Sequence, residues 1–184
     1  MNIPNSLTLL RIALIPVFVV IFYLPVEWRY LAATLIFALA ALTDWLDGYL
    51  ARRLNQISKL GAFLDPVADK LMVAVVLILL VQRDPNIWLA LPAAVIIGRE
   101  ITVSALREWM AELGARSKVA VSILGKIKTT AQMVALLLLT FQESLFGLPI
   151  YQIGMVLLYI SAILTLISMF QYLHSAWPKL VEKS

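Results

Sequence analysis

Six apolar stretches follow one another along the chain, at roughly residues 8–25, 29–50, 62–82, 87–106, 119–141 and 149–173. Each holds close to the ~20 apolar residues that carry a helix across the ~30 Å hydrocarbon core of a bilayer. The breaks between them are Leu24-Pro25-Val26-Glu27, Arg52 to Leu60, Gln82 to Asn86, Arg107 to Lys118 and Gln142-Glu143-Ser144. They gather charge, Pro and Asn, the composition of turns. The pattern predicts one all-α integral membrane domain over 1–184 with six transmembrane helices. Within the longest break, Leu106 to Leu113 keeps a helical pattern that ends at Gly114, so the fourth helix is expected to run on past the membrane.

Composition agrees with this and narrows the chemistry. The 184 residues are 62% hydrophobic and 14% charged, with a mean hydropathy of +0.92, which excludes an ordinary soluble domain. There is no cysteine, so disulfides, thiol nucleophiles and thiolate metal sites are excluded. Met1 to Leu10 carry no Lys or Arg ahead of the apolar run, and no small-residue cleavage site follows; the first stretch therefore reads as a span rather than a signal segment. The net charge of +4 is modest and points to no nucleic-acid partner.

Where the charges lie says more than their sum. If the spans alternate, one side of the membrane receives Arg52, Arg53, Lys59, Arg107, Arg116, Lys118, Lys126, Lys128, Lys179 and Lys183, and the other receives Arg29 and Arg83. Basic residues concentrate on the cytoplasmic side, so both termini are expected there. Trp28, Trp88, Trp109 and Trp177 fall near span ends and read as interfacial anchors.

The chemistry is concentrated in Asp44-x2-Asp47-Gly48-x2-Ala51-Arg52 and Gly61-x3-Asp65-x3-Asp69. Asp44 and Asp47 are three apart and Asp65 and Asp69 four apart, so each pair shares one helix face. A short loop between antiparallel helices would bring all four to a similar depth, inside the cytoplasmic boundary. A charge costs about 2.5–3.5 kcal/mol at a helix centre and less toward the ends, and four like charges also repel one another. Arg11, Lys70 and Arg99 are the clear basic residues inside spans, too few to neutralise the set when Glu100 competes for them. Divalent cations with all-oxygen coordination suit four carboxylates, and metal ions so held would bind a diphosphate for phosphoryl-group transfer. Gly48, Ala51 and Gly61 beside the aspartates permit close approach of helices or of a flat ligand. Arg52, at the mouth, reads as a phosphate ligand or a positive-inside anchor.

With every fixed position and spacing present, this segment resembles the signature of the CDP-alcohol phosphotransferases. Asn5-Ser-Leu-Thr8-Leu-Leu-Arg11 and Gly125-Lys126-Ile-Lys128-Thr129-Thr130-Ala-Gln132 resemble the bacterial branch that uses sn-glycerol 3-phosphate as acceptor. The resemblance implies six transmembrane helices around a cytoplasm-facing polar cavity, a homodimer in the bacterial cytoplasmic membrane, and Mg2+ or Mn2+, two ions, held by Asp44, Asp47, Asp65 and Asp69. It implies CDP-diacylglycerol as donor, contacted at Gly48, Ala51, Arg52, Ser58 and Gly61, with Asp69 as general base. The acceptor phosphate is expected among Arg107, Arg116, Lys118, Lys126 and Lys128, basic residues that a cytoplasmic face would carry in any case. Arg99 and Glu100 read either as structural glue or, for Arg99, as reaching the cavity, and His174 as interfacial.

Three other readings remain at this level. The acceptor could be serine, inositol phosphate or phosphatidylglycerol, with the same chemistry. An intramembrane prenyltransferase also binds diphosphate through Asp-rich helices, though usually with more spans and without Asp-Gly-x2-Ala-Arg. A cation transporter would spread its carboxylates across the membrane rather than gather them at one end.

Overall fold

The computed structural model places helices where the apolar pattern predicts them: α1 (Ile3–Tyr23), α2 (Arg29–Arg53), α3 (Lys59–Arg83), α4 (Ile87–Glu112), α5 (Ile123–Phe141) and α6 (Ile150–Val181). It describes residues 3–53, 59–112, 123–143 and 147–181. α4 continues beyond the apolar stretch to Glu112, as expected, and the anticipated stop at Gly114 lies outside the described residues. α6 runs past its apolar stretch to Val181.

Asn5–Tyr23, Ile87–Glu112 and Ile150–His174 are long and apolar enough to cross a membrane, and α5 contributes a shorter apolar length, Ile127–Phe141. α2 and α3 carry the four aspartates, whose charge lowers the hydropathy of both helices. The outer surface is apolar as well: Leu35, Phe63, Ile101, Val156 and Phe170 are all exposed, which a soluble protein would not tolerate over such an area. Exposed Trp28 and Trp88 stand at one end of the bundle and exposed Trp109 and Trp177 at the other, as in the aromatic belts of membrane proteins.

α1 packs against both α2 and α3, α5 pairs with α6, α4 runs along α6, and α2 and α3 each reach α5. The largest cluster of buried apolar residues lies toward one end of the bundle. Phe18 and Phe22 from α1 meet Phe37 from α2, Val76 and Leu80 from α3, Ile96 from α4, Leu136 and Leu139 from α5, and Leu158 from α6. At the apolar end the Arg83 guanidinium stacks on Tyr30 at 5.0 Å and Phe22 at 5.7 Å and donates to the Leu139 carbonyl at 2.7 Å. One side chain thus ties α1, α2, α3 and α5 together.

Lipid solvates apolar side chains as well as a core does, so helices in a membrane associate through close packing rather than hydrophobic exclusion. Gly154 is the tightest instance described: a Cβ there would stand 2.9 Å from Leu139 Cγ and 3.2 Å from Leu138 Cβ. Gly154→Ala is therefore expected to cost about 1–3 kcal/mol through overpacking, measured as a lower unfolding temperature in detergent. An unchanged unfolding temperature would show that α5 and α6 have room to spare.

Candidate active site

The other half of the bundle is polar, and α1 organises it. Asn5, Thr8 and Arg11 are spaced by three and so share one face of α1, and all three are buried. Arg11 is 1% exposed despite being the bulkiest of them. Its Nη1 lies 2.9 Å from Asp44 Oδ1 and also binds Asp69 Oδ1, while Nη2 binds Asp47 Oδ2. One turn earlier the Thr8 hydroxyl donates to Asp65 Oδ1 at 2.5 Å. The four signature aspartates thus project from α2 and α3 onto a single face of a third helix.

This differs from the sequence expectation in one respect. A count of basic residues inside the spans makes them too few to neutralise the aspartates, yet Arg11 alone reaches three of them, because a guanidinium offers five donors in a rigid fork. The missed signal was the Arg itself. A guanidinium within an apolar span has to find a partner, and Thr8 three residues before it marks the face it occupies. Four carboxylates against one guanidinium still leave three negative charges uncompensated among these five side chains. No three acidic or histidine side chains close directly around a common point among the described residues; Arg11 stands where Asp44, Asp47 and Asp69 meet. The donor set remains all-oxygen, hard and strongly negative, which is what Mg2+ or Mn2+ requires.

A second polar cluster lies where α4, α5 and α6 converge. Glu100 accepts from Lys128 at 3.1 Å and from Arg99 at 2.9 Å, and Arg99 also donates to Ser168 at 3.0 Å. Arg99 is therefore held between α4 and α6. Arg107 stacks over the Tyr172 ring at 5.5 Å. Lys128 is 5% exposed, so its ammonium is placed by the bundle and not by solvent. Two cations, Lys128 and Arg99, face the one Glu100 carboxylate, which leaves this cluster positive. Beside it, Gln132 and Thr165 are buried with Oε1 and Oγ1 unpaired; buried amides and hydroxyls are normally paired, and nothing in the hydrophobic pattern singled out these two.

The remaining site expectations are distributed as follows. Gly48, Ala51 and Arg52 belong to the last turns of α2, and Gly61 is buried in the first turn of α3. Ser58, Arg116 and Lys118 lie outside the described residues, as do the side chains of Ala51, Arg52 and Lys126. His174 is exposed near the end of α6.

Comparison with known proteins covers the helices that carry these clusters. Residues 1–167 match the family described as CDP-alcohol phosphatidyltransferase. A protein of Pseudomonas fluorescens named CDP-diacylglycerol–glycerol-3-phosphate 3-phosphatidyltransferase is 60% identical over 98% of this chain and 92% of its own length. Proteins of the same name from Escherichia coli K12 and Shigella flexneri are each 55% identical, over 99% of this chain and 98% of theirs. A match that includes both aspartate-bearing helices and the α1 face they meet, with relatives identical at more than half of their positions, makes the chain a member of the CDP-alcohol phosphatidyltransferase family.

Proposed function

We propose that this chain transfers the phosphatidyl group of CDP-diacylglycerol to sn-glycerol 3-phosphate, giving phosphatidylglycerophosphate and CMP. The relatives named for that reaction support it, and the observation that carries it is the presence in one bundle of two polar clusters of opposite sign. The acidic cluster suits a cation-bound diphosphate and the basic cluster a free phosphate, and the reaction needs both side by side.

Asp44, Asp47, Asp65 and Asp69 would hold Mg2+ or Mn2+, one or two ions. Such ions, when bound, neutralise the diphosphate and the charge that develops on the leaving oxygen. The chain's own residues supply the rest. Gly48, Ala51 and Gly61 leave room for the cytidine to approach the backbone, with Arg52 and Ser58 beside it. Lys128 and Arg107, with Arg116, Lys118 and Lys126, hold the acceptor phosphate and so aim its 1-hydroxyl at the lipid-side phosphorus. Asp69 takes the hydroxyl proton as the new O–P bond forms, and the bond to CMP breaks. A carboxylate is a weak base, so alignment contributes more than basicity. Arg11 positions three of the carboxylates and shares their charge with the incoming cation.

All six helices would cross the bilayer, with the polar end and both termini on the cytoplasmic side of a bacterial membrane, because the basic residues gather there. The family resemblance adds a homodimer.

The decisive experiment is to incubate purified protein with CDP-diacylglycerol, Mg2+ and a panel of acceptors, and to measure CMP. Release is expected with sn-glycerol 3-phosphate and not with serine, inositol phosphate or phosphatidylglycerol, and chelation should abolish it; another preferred acceptor would overturn the assignment. Asp69→Asn should lower kcat about a hundredfold or more while CDP-diacylglycerol still binds, and near-wild-type turnover would refute the base. Arg11→Gln should lower stability by about 3–5 kcal/mol in chelator, the cost of removing one partner from a buried charge pair. Added Mg2+ should recover part of that loss. Identical melting curves for wild type and variant would rule out Arg11 as the counter-ion.

A further inference from the structure

Arg11 stands in the place that a cation bound by the signature aspartates would take. Its side chain is 2% exposed, and its head meets Asp44, Asp47 and Asp69 at once. The three carboxylates differ in reach: the Asp44 and Asp69 side chains are each 38% exposed and the Asp47 side chain 4%. An ion that touched only Asp44 and Asp69 would leave Arg11 undisturbed. One that also took Asp47 would have to replace it, because Mg2+ needs its oxygens at about 2.0–2.1 Å in a tight octahedron and a planar guanidinium lies among them. A positive head and a doubly positive ion also repel at such range.

A guanidinium moved off its carboxylates inside a span needs another anion. Asn5 and Thr8, its neighbours along α1, are neutral, and Glu100 is engaged by Lys128 and Arg99. The anion that enters this half of the bundle during the proposed reaction is the donor's diphosphate. Arg11 can meet it: Nε is buried and has no hydrogen-bond partner among the described residues, and a guanidinium edge with two N–H donors matches a phosphate bidentately.

We propose that Arg11 exchanges partners: it ties Asp44, Asp47 and Asp69 together until divalent ions load, and then turns to the diphosphate of the CDP-linked donor. The exchange rests on the donor proposed above. It makes ion and donor favour each other's binding. An ion arriving alone breaks three ion pairs and strands a charge, whereas with the donor present that charge has a partner. α1 thereby passes from holding the acidic helices to holding the substrate.

Phenylglyoxal, which modifies accessible arginines, tests this on the wild-type full chain in detergent, with Mn2+ and CDP as probes and mass spectrometry of the peptide carrying Arg11. Arg11 should be protected in chelator, modified with Mn2+ alone, and protected again with Mn2+ and CDP together. Free Mn2+ measured by electron paramagnetic resonance should show CDP tightening Mn2+ binding about tenfold in wild type, within the usual span of coupled sites. Without CDP, Arg11→Gln should bind Mn2+ about tenfold more tightly than wild type, the same coupling read from the other side. Arg11→Lys, with fewer donors for the carboxylates, should fall between. Arg11 that stays protected under saturating Mn2+, or an Arg11→Gln chain that binds Mn2+ no more tightly than wild type, would overturn the exchange; a residue that merely positions the carboxylates predicts the latter. Labelling uses unaltered protein, so it decides the matter even where Arg11→Gln does not fold. CMP release from CDP-diacylglycerol and sn-glycerol 3-phosphate alongside such a failure would sink the exchange and leave the transfer reaction standing.

Discussion

The polar half of the bundle depends on one guanidinium. Arg11 reaches Asp44 and Asp47 on α2 and Asp69 on α3, and α1 packs against both of those helices. α1 is therefore the element that sets the spacing between the two acidic helices. Like charges at this depth would otherwise drive α2 and α3 apart, and one planar cation with several donors is the smallest group that opposes this from within the chain. It does so incompletely. The charge left over makes the site an acceptor for further cations, where a neutralised ion-pair cluster would be inert.

The bundle is divided along its length. Phe, Leu, Val and Ile side chains lock one half, with Arg83 stacked on Tyr30 and Phe22 as its cap, and most of the buried charged groups, Arg11, Asp47 and Lys128, lie toward the other. This division lets a membrane protein keep several charges at depth, because the apolar half fixes the helices while the polar half remains available for ligands. α3 shows the consequence most clearly. Asp69 and Lys70 are consecutive, yet the turn of the helix sends one to α1 and the other toward α4, so neighbouring residues of one helix serve two different partners.

Much of this could be read from the sequence. The six helices followed from apolar run length, and their breaks from Pro, Asn and charge. The aspartates were visible as a set because their spacings match one turn of helix. Two things escaped. The first was the share of α1: a lone Arg in an apolar span was discounted because cations were counted, whereas one guanidinium has enough donors for three carboxylates. The second was the pairing within the basic cluster. The bond between Lys128 and Glu100 joins residues 28 apart on two helices, and no local pattern encodes which of several cytoplasmic cations is drawn inward. Lys128 is buried whereas Arg107 is exposed over the Tyr172 ring, although both read alike as basic residues near a span end.

The proposed substrates also account for where the site stands. A donor with two acyl chains cannot leave the bilayer, and a glycerol phosphate cannot enter it, so the reacting phosphorus has to be met at the boundary between them. A site deeper in the bundle would have to desolvate the acceptor's phosphate, and one outside it would have to pull the donor's chains through water. Carboxylates near one end of α2 and α3, with a basic cluster where α4, α5 and α6 converge, would avoid both costs if that end stands at the membrane edge. On the proposed reading, the acidic residues that hydropathy counts against α2 and α3 are what lets both substrates be solvated, one by lipid and one by charge.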